Sequence, residues 1–166
     1  MNAHAALNAF QSYYLKGDSH AAALEFNRAL VELRSTGRGD LVGRAELVRC
    51  AARAASLEFD NCPEFEKLRA DAGAEELGYA DFLSGKVEIT AKDDPLSRLV
   101  SHGVKFNSGK ATPENISAAV DIASVQGWRR PLLAWLGVEE KRAEAAGDRV
   151  ALERIRRRIA LVTGKG

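Results

Sequence analysis

Short breaks of Gly, Pro and Asp recur along the whole chain, and between them Ala, Leu, Glu, Arg and Lys dominate. Apolar residues in these stretches fall three or four apart, and no segment alternates for more than a few residues. A chain punctuated in this way builds helices joined by tight turns, not sheets. The reading is therefore all-α: seven or eight helices in stacked antiparallel hairpins, within a single domain spanning residues 1–166. At 166 residues the chain is long enough to bury a core without metal or disulfide staples.

The first helix is expected from about Ala3 to Lys16 and ends at Gly17-Asp18, where glycine permits a left-handed cap. The second runs to about Arg34 on the stripe Ala22, Phe26, Ala29, Leu30 and Leu33. Asp40 is expected to cap a third helix that continues to about Phe59. Residues 64–84 read as one kinked helix or two short ones, and 84–94 as loop. Further starts fall at Asp94-Pro95, Thr112-Pro113 and Pro131, the last with Trp135 and Leu136 in its stripe. A second Gly-Asp break, Gly147-Asp148, precedes the final helix.

The stretch from Tyr13 to Leu30 resembles a tetratricopeptide repeat: a hinge at Gly17, then Ala22, Phe26 and Ala29 at the small–aromatic–small spacing that lets two helices nest. Gly147-Asp148 looks like the same device, but Leu152, Arg156 and Ile159 stand where the family prefers Ala, aromatic and Ala. The two hinges lie 130 residues apart, not a multiple of that family's roughly 34-residue period. The resemblance covers about 30 residues. It implies a right-handed superhelical stack or a compact bundle, and binding of a protein or peptide on a concave face. On it, His4, Gln11 and Tyr14 would line the groove, with Phe10 and Tyr13 in the core.

No constellation of residues points to catalysis. His4, His20 and His102 are scattered, with no carboxylate or second histidine at helical metal-site spacing, so neither a metal site nor a cofactor is expected. No GxSxG or GxGxxG occurs. Glu75-Glu76 with Asp81 reads as a solvated helix face. Cys50 and Cys62 stand 12 apart with no CxxC, which argues for an inert thiol and a reducing cytoplasm over a disulfide framework. Residues 1–10 show no basic stretch followed by an apolar core, so no secretory signal is expected, and no apolar run is long enough for a membrane span.

Charge is balanced overall, at +1, but unevenly placed: residues 57–94 carry 11 Asp/Glu against 4 Lys/Arg, and 128–166 carry 10 Lys/Arg against 5 Asp/Glu. Arg49 and Arg53, one helical turn apart, could grip a partner carboxylate, or form a solvated face. Arg154, Arg156, Arg157 and Arg158 form the sharpest charge feature. They suit a phosphate or an acidic partner, or else complement the helix dipole and the acidic 57–94 segment. With no interleaved aromatics, nucleic-acid binding is the weaker alternative. The expected function is a non-enzymatic, bacterial-type cytoplasmic module that binds a protein or peptide partner. A homodimer is admissible, because an unfinished hairpin stack leaves an apolar end needing a cap or a mate.

Overall fold

The computed structural model describes residues 2–165 and is all-helical. Among the described residues it has eight helices of ten residues or more and one single-turn helix. In order these are α1 (Ala3–Leu15), α2 (Ser19–Arg34), α3 (Gly39–Ala55), α4 (Pro63–Glu66), α5 (Ala74–Leu83), α6 (Pro95–Asn107), α7 (Pro113–Gln126), α8 (Arg129–Ala146) and α9 (Arg149–Thr163). A 3-10 turn lies at Arg69–Asp71, and residues 84–94 are loop as read from the sequence.

Three turns share one geometry. Gly17, Gly127 and Gly147 all have positive φ, and each is followed by a residue that begins the next helix. In each turn the glycine N–H reaches back three residues and the next N–H reaches back five: Asp18 to Tyr13 O, Trp128 to Ala123 O and Asp148 to Ala143 O, at 2.9 to 3.0 Å. This six-to-one closure satisfies carbonyls that a helix end would otherwise leave bare. Asp18 and Asp148 then cap the next helix by accepting from Ala21 N–H and Ala151 N–H. Trp128 stands in the same place with no side-chain cap bond, which is why the sequence shows two such hinges and the structure three.

Neighbouring helices pair in sequence at both ends of the chain: α1 with α2, then α6 with α7, α7 with α8 and α8 with α9. The order breaks at α3, which packs against α1, α2, α4, α5 and α6. Alanine makes this possible. Ala45, Ala51, Ala52, Ala54 and Ala55 are all buried, so α3 presents small side chains on several faces. Where α6 crosses α3, a Cβ at Gly103 would overlap the Ala54 carbonyl oxygen. Only glycine fits there.

The apolar core forms one large cluster around Trp135, Leu99, Leu136 and Val120, and a second around Phe10, Leu15, Phe26 and Leu30. Leu96 and Trp128 pack against both. Trp135 is fully buried and donates its indole N–H to Ala55 O at 3.0 Å, tying α8 to the end of α3.

Several expectations need correction. The third helix ends at Ala55, not Phe59, because the chain reverses at Leu57, and its N-cap is Arg38, with Asp40 in the first turn paired to it at 2.7 Å. In α1, Phe10 and Tyr14 are buried while Tyr13 is 42% exposed. That reverses the expected roles of the two tyrosines, because α8 packs on α1 and lays Arg130 over Tyr14.

Candidate functional site

A concavity of about 850 Å³ lies where α3 meets α5 and α6 and is bounded by the 85–94 loop. It exists because the hairpin order breaks there: α5 and α6 both pack on α3 but leave a gap between them. Leu47, Val48 and Ala51 of α3 form the floor, with Tyr79 and Phe82 of α5 and Leu96 and Val100 of α6 as walls. Val87 and Ile89 of the loop, each nearly half exposed, form one lip.

Two carboxylates at the rim are held by neighbours. Glu76 is buried, contrary to the expected solvated face, because it folds back to accept the Gly73 N–H (3.4 Å) and lies 3.5 Å from Arg44. Asp94 caps α6 by accepting from Ser97 N–H at 3.0 Å, and its hydrogen bonds to Ser97 hold its carboxyl below the usual range. Burial, with the Asp94 carboxylate nearby, pushes the Tyr79 hydroxyl up to about 12. The groove thus offers an apolar lining and a charged and polar rim, suited to apolar side chains flanked by polar backbone.

A second cluster lies behind α3. Arg130 of α8 stacks 4.2 Å from the Tyr14 ring, donates Nε–H to Tyr14 O at 2.6 Å, and reaches Ser19 Oγ and Glu58. The Tyr14 hydroxyl is buried, and its pKa is driven up by that burial and by the Glu58 carboxylate. Arg53 pairs with Asp60, whose other oxygen accepts the Cys62 N–H at 3.1 Å. Arg49 stacks on Phe26 (4.6 Å) and pairs with Glu46, a buried carboxylate whose pKa is raised by desolvation.

Of the five residues expected to line a partner groove, Gln11 is the one that lines this cavity. His4 is exposed and lies beside Asn8, Tyr14 is buried, and Arg49 and Arg53 are spent on internal carboxylates. On α9, Arg156 bonds Glu140 (3.0 Å) and Glu144 (3.4 Å) of α8, not the acidic 57–94 segment, while Arg154 and Arg157 are exposed and Arg158 is half-buried. Among the described residues no group of three or more His, Cys, Asp or Glu could hold a metal ion.

Cys50 and Cys62 form a disulfide, with Cα atoms 5.8 Å apart. The expectation of two free thiols is therefore corrected. Reversal of the chain at Leu57 carries Cys62 back beside the helix that holds Cys50, a fold-back that a spacing of 12 does not announce. Among the described residues no helix is long and apolar enough to cross a membrane. No family model, curated protein or solved structure matches the chain.

Proposed function

We propose that this protein is a non-catalytic interaction module that captures an apolar segment of a partner protein in the α3–α5–α6 groove. The observation that carries the reading is the groove itself: a concavity lined by Leu47, Val48 and Ala51 of α3, with the half-exposed Val87 and Ile89 at its lip and Gln11, Arg44 and Ser97 at its rim. Burying several partner side chains there supplies the driving force, at roughly 25 cal/mol per Å² of apolar surface. Glu76 is held by Arg44 and the Gly73 N–H, Asp94 by Ser97, and the Tyr79 hydroxyl is held protonated, which suits recognition better than proton transfer. A tetratricopeptide-like origin would be in keeping with the hinge at Gly17-Asp18. The expectation of a reducing cytoplasm drew on two unpaired cysteines, and the disulfide removes that support.

The test is site-specific photo-crosslinking in source cells, with the crosslinker placed in turn at Gln11, Ser97 and Arg157. The reading predicts protein adducts from Gln11 and Ser97 and none from Arg157. Adducts from Arg157 alone, or loss of crosslinks after nuclease treatment, would move the function to the arginines of α9.

A further inference from the structure

Among the described residues three that are not glycine have positive φ: Leu57 (60°), Asn61 (61°) and Cys62 (51°). All three lie in one six-residue segment. With a Cβ present, this region of backbone is disfavoured by contact with the neighbouring carbonyl. Leu57 shows the cost most clearly. It closes α3 with the same pair of bonds as the glycine turns, Leu57 N–H to Ala54 O (3.1 Å) and Glu58 N–H to Arg53 O (2.8 Å), in the position Gly127 and Gly147 occupy elsewhere. Such a conformation persists only where its surroundings impose it.

The imposing ties can be named. Arg53 holds Asp60, Arg130 lies 3.6 Å from Glu58, and the Cys50–Cys62 disulfide anchors the far end of the segment to α3. Both cysteines are partly exposed, and together they line a cavity of about 410 Å³ between the segment and α5. A small dithiol can therefore approach the sulfurs without the protein unfolding.

We infer that the Cys50–Cys62 bond is a reversible redox switch that sets the conformation of residues 57–62, with a dithiol as the reducing partner. A thiolate of the dithiol attacks one cysteine sulfur; the S–S bond breaks, and the displaced sulfur leaves as a thiolate and takes up a proton. The second thiolate of the reductant attacks the mixed disulfide and releases the other cysteine. Two electrons pass to the cysteine pair, and the dithiol departs as its own disulfide. Freed at Cys62, the segment relaxes out of the positive-φ region. Glu58 and Asp60 then leave Arg130 and Arg53, loosening the contact through which Arg130 joins α8 to Tyr14 of α1. This inference does not depend on what the groove binds.

The experiment uses the whole wild-type chain, first oxidised with glutathione disulfide, then treated with millimolar dithiothreitol without denaturant. Free thiols are counted by alkylation and mass, and amide exchange is followed by mass spectrometry. The expected result is no alkylation after oxidation, two alkylations after reduction, and exchange about tenfold or more faster in 57–62, with 113–126 and 149–163 unchanged. The C50S/C62S variant should show the fast exchange without reductant and no response to it. Cysteines still alkylated after oxidation, a bond that resists the dithiol, unchanged exchange in 57–62, or acceleration along the entire chain would each overturn the proposal. Should the variant not fold, the wild-type measurements decide alone.

Discussion

The α7–α9 end and the segment from Leu57 to Asp94 solve the same problem, reversing a helical chain, in opposite ways. At the α7–α9 end each reversal uses a glycine at positive φ and takes only two residues, and the helices pack on their sequence neighbours. In the middle a glycine closes α5 at Gly85, but the earlier reversal falls on Leu57, Asn61 and Cys62, α4 is a single turn, and the chain is tied by ion pairs and a disulfide. The tied middle leaves the groove of about 850 Å³, the lip formed by Val87 and Ile89, and the cavity beside the disulfide. The regular end exposes single apolar side chains such as Val125, Val150 and Leu161 along its helices, whereas the tied middle gathers Val87 and Ile89 at the edge of a concavity.

The sharpest way to break this contrast is at the residue that joins the two regions. Trp135→Ala removes a fully buried ring and its bond to Ala55 O, and should cost about 4 kcal/mol in denaturant unfolding. A cost under about 1 kcal/mol would mean that α8 is not docked on α3 as described. Gly103→Ala should cost about 2 kcal/mol, because its Cβ would meet backbone at Ala54 that cannot yield. Gly137→Ala, in the open interior of α8, should instead gain up to about 1 kcal/mol.

Alkaline titration sharpens the contrast at the groove wall. The Tyr79 pKa in the folded state, about 12, lies above the ordinary tyrosine value of 10.0, so its contribution to stability is whole below pH 10 and is lost as the pH rises towards 12. Tyr79→Phe should flatten that loss, leaving the part due to buried Tyr14. Stability measured by urea unfolding across this range provides the check.

The smallest effects have opposite signs at the two kinds of turn. Gly147→Ala places a Cβ at φ +68° and should destabilise by about 1 kcal/mol. Asn61→Gly relieves a positive φ at an exposed position and should stabilise by a few tenths of a kcal/mol. Equal signs would dissolve the distinction between relaxed and imposed turns.

What the sequence made legible follows the same division. Helical periodicity, the Gly-Asp hinges and the loop at 84–94 could be read because each depends on residues within a turn or two of one another. The hinge at Trp128 was hidden because its geometry is backbone alone, with no capping side chain. The choice between Tyr13 and Tyr14 depended on α8, more than a hundred residues away, bringing Arg130 onto one of them. Burial of Glu76 could have been suspected from Gly73, since a carboxylate three residues into a helix reaches back to the cap N–H. The groove itself has no local signature: it opens beside Leu47, Val48 and Ala51 through the way α5, α6 and the 84–94 loop pack around α3, which no spacing within α3 announces.

The central claim is that the groove between α3, α5 and α6 is where this protein meets its partner. Its most direct test is amide NMR mapping with a peptide selected by display against the intact, oxidised chain. The account predicts shift changes concentrated at residues 44–51, 74–82 and 87–100, with α9 unmoved. Changes centred on Arg154, Arg157 and the outer face of α9, with those three segments silent, would contradict it.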